Sequence, residues 1–210
     1  MKFNQKKVRE EYARQVLLNL FPKKYPDSFL ADKPDIQNLV HSIGVEVTST
    51  MDQRLQYGIA QFSPFYNKHI STVTPKKKEQ LQKHKVKLDT DENGIIKFIL
   101  PEAFWGSGNR TKEAFISKQN KLNEGNYKIY KENNLFLFAE GEEEDEILEL
   151  IEYIQSCEKS KRTFNLIYIY TYRELFEIST SNYSYKVFSI DAEQKEYFLL
   201  ESVKGLKNTN

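Results

Sequence analysis

The sequence predicts a mixed α+β protein, and three observations carry that reading. Apolar residues recur at helical spacing in three stretches, near residues 5–21, 111–122 and 143–157. Between and after these lie short runs rich in Val, Ile, Phe and Tyr, bounded by turn residues. Two pairs of such runs are close enough to fold back as hairpins, over 36–50 and 86–100.

The first helix is expected over about Gln5 to Phe21. Val8, Tyr12, Val16 and Leu20 step by four, Leu17 and Phe21 widen the stripe, and Pro22 and Pro26 end it. Asp27 to Ala31 is a weak strand signal. Ile36 to Val40 and Ile43 to Thr50 are stronger, with His41-Ser42 as the break of a hairpin. In the second of these strands Ile43, Val45 and Val47 share one face, while Gly44, Glu46 and Thr48 share the other. The apolar face covers a core, so Glu46 looks into water or into a site.

A helix over Gln53 to Phe65, cut short by Pro64, precedes a basic run from Lys76-Lys77-Lys78 to Lys87. Val86 to Leu88 and Ile95 to Leu100 form a second hairpin across Asp91-Glu92-Asn93-Gly94, and 105–109 is a loop. A helix over Thr111 to Leu122 stops at Gly125, and a strand follows over Leu135 to Ala139. A third helix spans about Glu143 to Cys157, with Ile147, Leu150, Ile151 and Ile154 at helical spacing. Phe164 to Tyr172, Leu175 to Thr180 and Tyr185 to Ile190 read as strands, and the polar tail from Lys204 as frayed. No internal repeat or linker divides the chain, so the expectation is one domain over 1–210. Its core covers about 5–140, an inserted segment about 52–110, and a C-terminal helix-strand extension 141–203.

Composition excludes several classes. The 210 residues suffice for one sizeable core. Lys+Arg (31) and Asp+Glu (30) nearly balance, so any nucleic-acid footprint must be local. The lone Cys157 forms no internal disulfide and no ligand cluster, and His41, His69 and His84 lack zinc-ligand spacing. Gly106-Ser107-Gly108 is not followed by the Gly-Lys-(Ser/Thr) of a phosphate loop. The N-terminus has no secretory apolar stretch, and no run is long enough to span a membrane. The chain therefore reads as soluble and cytoplasmic, with no membrane partner.

The chemistry concentrates at Lys33-Pro34-Asp35-Ile36 and Gly44-Val45-Glu46-Val47-Thr48. Hairpin pairing brings the Asp35 and Glu46 carboxylates toward one divalent cation, with a backbone carbonyl near Val47 as a further oxygen. Hydrolysis of a phosphodiester needs a more acidic attacking water and stabilisation of negative charge on phosphorus. Mg²⁺ held by one or two carboxylates keeps positions open for that water and for phosphate.

The pattern resembles the PD-(D/E)XK, or restriction-endonuclease-like, superfamily, in its variants whose acidic strand reads Gly-(Ile/Val)-Glu-Val-Thr. The order helix, short strand, strand with Asp, strand with Glu, helix, strand is its αβββαβ core, and the likeness covers roughly residues 5 to 140. The resemblance implies a central mixed sheet flanked by helices, here with additional C-terminal strands. It implies a metal-dependent endonuclease cleaving DNA, with Mg²⁺ or Mn²⁺ at Asp35, Glu46 and Val47, in restriction, repair or defence, and homodimerisation left open. A first-helix glutamate, Glu10 or Glu11, joins the metal in much of the superfamily, and Glu11 is taken here. Complementing the positive end of the helix is an alternative role for both.

One residue departs from the pattern. The superfamily places a lysine two residues past the acid, about 7 Å along the same strand face. Thr48 stands there, and its hydroxyl carries no charge. Lys118 and Gln119 lie along the apolar stripe of the 111–122 helix, where a charge needs a partner. Some branches move the lysine to the equivalent helix. Lys118 is therefore expected as the catalytic lysine and Gln119 as a positioning residue. Thr48, Lys76, Lys77 and Lys78 are candidate nucleic-acid contacts, although a basic run also reads as a solvated segment. The rival reading is a restriction-endonuclease-like module without catalysis, binding nucleic acid or a protein.

Overall fold

A computed structural model describes residues 5–51, 53–101, 110–125, 127–139, 144–157, 161–171 and 173–208. It begins with helix α1 (Gln5–Leu20), followed by strands β1 (Phe29–Leu30), β2 (Ile36–Asn38) and β3 (Ile43–Ser49). After β3 come α2 (Gln53–Phe62), α3 (Pro75–Lys83), β4 (Val86–Thr90) and β5 (Ile96–Pro101). The chain continues through α4 (Arg110–Asn123), β6 (Glu132–Phe138), α5 (Glu144–Ser156), β7 (Leu166–Tyr170), β8 (Glu174–Ser179), β9 (Tyr185–Ser189) and α6 (Ala192–Asn208).

The fold is α+β, as the hydrophobic periodicity implies. Seven strands form one sheet in the order β1-β2-β3-β6-β7-β8-β9. β1, β2 and β3 run antiparallel, β3, β6 and β7 parallel, and β7, β8 and β9 antiparallel again. The parallel β3-β6 pairing requires a crossover, and α4 lies within it.

Alternation along the strands gives the sheet two covered faces. On one, Phe136, Phe138, Tyr168 and Tyr170 pack with Ile43, Val45, Val47 and with Ala13, Val16 and Leu17 of α1. On the other, Leu135, Leu137, Ile167 and Ile169 pack with Phe115 and Leu122 of α4 and Ile147, Leu150 and Ile151 of α5. The aromatic strand β7 is thus core, with Tyr168 fully buried and hydrogen-bonded to Tyr25 at 3.0 Å.

The chain divides into two compact units, Met1–Thr50 with Asn109–Asn210, and Met51–Gly108. The segment expected as an insertion within one domain is thus a unit with its own small core of Phe62, Val73 and Ile96. It contains the β4-β5 hairpin and α3, a helix the basic run had hidden. The expected loop at 105–109 lies outside the described residues. The tail expected to fray from Lys204 belongs instead to α6, which buries Phe198 and Ser202 against the main unit. Among the described residues no helix is long and apolar enough to cross a membrane.

Candidate active site

The site is built on β2 and β3, where the chain enters β2 through Pro34. That ring lies against Gly44: a Cβ placed there would sit 2.6 Å from Pro34 Cγ and 2.7 Å from Tyr130 Cδ2. Only glycine lets the proline close on the strand. Gln37 Nε2 donates to the Pro34 carbonyl at 3.1 Å, and Gln37 Oε1 accepts the Tyr130 hydroxyl at 2.5 Å. The strap before β2 is therefore held from both sides.

Asp35 follows directly. The β2-β3 ladder reaches Ile36↔Val45, and beyond it the Val47 N–H donates to Asp35 Oδ2 at 2.9 Å. N–H and C=O of one residue leave a strand on the same edge, so the Val47 carbonyl emerges on the Asp35 side. Glu46, between Val45 and Val47, points to the opposite face of β3 from those two, the face on which α4 packs, as the alternation predicts.

Lys118 of α4 reaches Glu46. Its Nζ lies 2.6 Å from Glu46 Oε1, and both side chains are largely buried. Burial first, and the nearby Asp35 charge second, push the Glu46 carboxyl above its ordinary pKa, while Lys118 and Tyr127 pull it down. Tyr127 is pushed upward by burial and by the Glu46 charge, so its phenol stays protonated as a donor. The backbone places it there, because the Lys128 N–H donates to the Lys33 carbonyl at 3.1 Å.

On the other carboxylate, Lys6 Nζ lies 3.5 Å from Asp35 Oδ1 and 3.2 Å from Glu10 Oε1. Burial works against its ammonium, but Glu10 and Asp35 outweigh this and raise its pKa. Glu10 is buried and also paired with Lys7 at 3.1 Å. Around these groups lies a cleft of about 290 Å³, lined by Lys6, Asp35, Glu46, Lys118 and Tyr127, with Asp32, Lys33, Lys121 and Glu124.

Set against models of known protein families, against curated proteins and against solved structures, the chain finds no match. The arrangement must therefore be weighed on its own chemistry. Among the described residues no three His, Cys, Asp or Glu side chains converge as a metal-ligand group. Two carboxylates and a backbone carbonyl, all hard oxygens, nevertheless suit Mg²⁺ or Mn²⁺, which keep several waters or phosphate oxygens. The donor set fits such an ion.

Of the residues singled out in the sequence, Asp35, Glu46, Val47 and Lys118 come together. Glu11 does not. It accepts Arg14 Nε and Nη2 and Gln15 Nε2, and lies against Gly205 of α6. One residue along a helix is a turn of about 100°, and it is Glu10, outside the cleft lining, that pairs with Lys6 of the cleft wall. The same turn separates Gln119 from Lys118: Gln119 Nε2 donates to the Arg162 carbonyl and leaves the cleft. Thr48 follows Glu46 on the strand face without lining the cleft. Lys76, Lys77 and Lys78 begin α3 of the inserted unit, where Lys77 lies 4.2 Å from the Phe65 ring. The residues missed in the sequence are Lys6 and Tyr127. Lys6 had a signal, four residues before Glu10 on one helix face; Tyr127, in a connection, had none.

Proposed function

We propose that the main unit is a metal-dependent nuclease of the PD-(D/E)XK type, hydrolysing phosphodiester bonds, with DNA as the first substrate to test. One observation carries the reading: Lys118 comes from α4 to within 2.6 Å of Glu46, beside Asp35, where Thr48 cannot supply a charge. Asp35, Glu46 and the Val47 carbonyl would hold Mg²⁺ or Mn²⁺, which acidifies a bound water and offsets charge on phosphorus. Lys118, held at Glu46, would offer a proton-bearing cation where negative charge develops. Tyr127 donates to Glu46 and fixes the carboxylate. Lys6, Lys33 and Lys121 on the cleft wall attract the phosphate backbone.

The test is cleavage of single- and double-stranded DNA and RNA with Mg²⁺ or Mn²⁺. Metal-dependent products that Asp35→Asn and Glu46→Gln abolish, in folded protein, support the proposal. No cleavage of any substrate with either metal overturns it.

A second reading has its own observation. Both carboxylates already face ammonium groups, Asp35 with Lys6 and Glu46 with Lys118. A module neutralised in this way would bind nucleic acid or protein without cutting. It predicts binding that Asp35→Asn and Glu46→Gln leave intact.

A further inference from the structure

We propose that α6 is a self-association surface, on which two copies of the chain dock antiparallel about a two-fold axis at Leu200. The helix has two unlike faces. Phe198 and Ser202 are fully buried against the main unit, whereas Tyr197, Leu199 and Leu200 are each about half exposed. At 3.6 residues per turn, Glu193, Glu196, Tyr197, Leu200 and Lys204 fall in one stripe about 100° wide, with Leu200 diametrically opposite the buried pair. An apolar centre with charged ends is the pattern of a helix that packs on another helix.

The charges identify the occupant. Around Leu200 the acids lie on one side, at Glu193 and Glu196, and Lys204 on the other. In an antiparallel pair each residue before Leu200 meets the one equally far after it. Leu200 then meets Leu200, Tyr197 meets Val203, and Glu196 meets the second copy's Lys204. The two-fold makes every such contact twice. A parallel pair would stack Glu196 on Glu196 and Lys204 on Lys204, which repel. Two glutamates on the stripe also disfavour an anionic surface as its partner. Lys204 does bridge Glu201 of its own helix at 2.6 Å, but Lys204 is 65% exposed there, and such a bridge is exchanged at little cost. The proposal is independent of the nuclease reading.

Sedimentation velocity of the full chain over a range of concentrations tests it. Wild type is expected to move from monomer to dimer mass as concentration rises. Leu200→Glu and, independently, Tyr197→Glu should weaken that dimer on the order of 100-fold, since each change enters the interface twice. Both positions are exposed, and circular dichroism checks that each variant folds. Glu196→Lys and Lys204→Glu should each return the protein to monomer, and the double variant should restore the dimer. A wild type that stays monomeric, a dimer indifferent to Leu200→Glu, or a double swap that fails to restore it would each overturn the proposal.

Discussion

The two units differ in how much polarity they bury. Among the described residues, those buried whole with polar or charged side chains lie in the main unit, among them Glu10, Glu11, Asp35, Glu46 and Asn134. Among the described side chains of the inserted unit, the residues buried whole are apolar or glycine, with Phe62, Val73 and Ile96 as their centre, and polarity is buried only as single atoms, Gln61 Oε1 and His84 Nδ1. A seven-stranded sheet covered on both faces supplies enough apolar contact to hold unfavourable charges in place. The two-stranded hairpin of the inserted unit, with its smaller described core, offers less. Chemistry that needs desolvated carboxylates belongs in the first setting. Lys76, Lys77 and Lys78 sit in the second, Lys76 and Lys78 exposed and Lys77 against the Phe65 ring.

The largest effect that could break this contrast is catalytic. Asp35→Asn or Glu46→Gln should lower metal-dependent cleavage on the order of 10³-fold while the melting transition survives. Ile96→Ala in the inserted core should leave the cleavage chemistry of the main unit measurable. If Ile96→Ala silences cleavage as fully as Glu46→Gln, the chemistry is not confined to the main unit.

Stability gives the next contrast. Phe136→Ala removes a fully buried ring from the centre of the main sheet and should cost about 3–5 kcal/mol. Thermal unfolding followed by circular dichroism should then show loss of most helix and strand signal at a lower temperature. Ile96→Ala should weaken only the inserted unit. Hydrogen exchange reads the same difference without substitution: β4 and β5 amides should exchange well before those of β3, β6 and β7. Equal protection in the two units would show that they open together.

Much of this was legible in the sequence where one face of an element is buried. Alternation in β3 placed Ile43, Val45 and Val47 in the core on one face and Glu46 on the other face, because burial imposes a period of two. Helix α6 was illegible for the converse reason. Its buried residues are Phe198 and Ser202, while Tyr197, Leu199 and Leu200 face outward, so the apolar residues trace no single stripe. Adjacent helical positions account for the two expected site residues that turn away, Glu11 and Gln119. Glu10 versus Glu11, and Lys118 versus Gln119, differ by one helical step, and whether Lys6 or Lys118 is held at the cleft is set by contacts distant in sequence. Asp35 for Lys6 and Glu46 for Lys118 are such contacts.

Lys118 sharpens the contrast at a smaller magnitude. Lys118→Met keeps the length of the side chain and removes its charge, and should lower cleavage about 10²-fold with little change in metal affinity. Substituting Lys77 in the inserted unit should change cleavage far less. A Lys118→Met enzyme as active as wild type would mean that Lys118 serves Glu46 only as a structural counter-ion.

The smallest effect is the pH dependence of stability in metal-free protein. Glu46 titrates above its ordinary range, chiefly through burial and then through Asp35. A raised folded-state pKa means that the folded chain holds this proton more tightly than the unfolded chain. Its stabilisation is therefore complete below the ordinary carboxylate pKa and is lost as pH rises through the raised value. Other carboxylates titrate in the same range, so the informative quantity is the difference between wild type and Glu46→Gln. The melting temperature of Glu46→Gln, relative to wild type, should rise across that window and level off above it. Mg²⁺ competes with the proton for the same oxygens, so it should raise the wild-type melting temperature more at neutral than at acid pH. If Glu46→Gln tracks wild type at every pH, the lysines neutralise the cleft outright, and Glu46 holds no raised proton for a metal to displace.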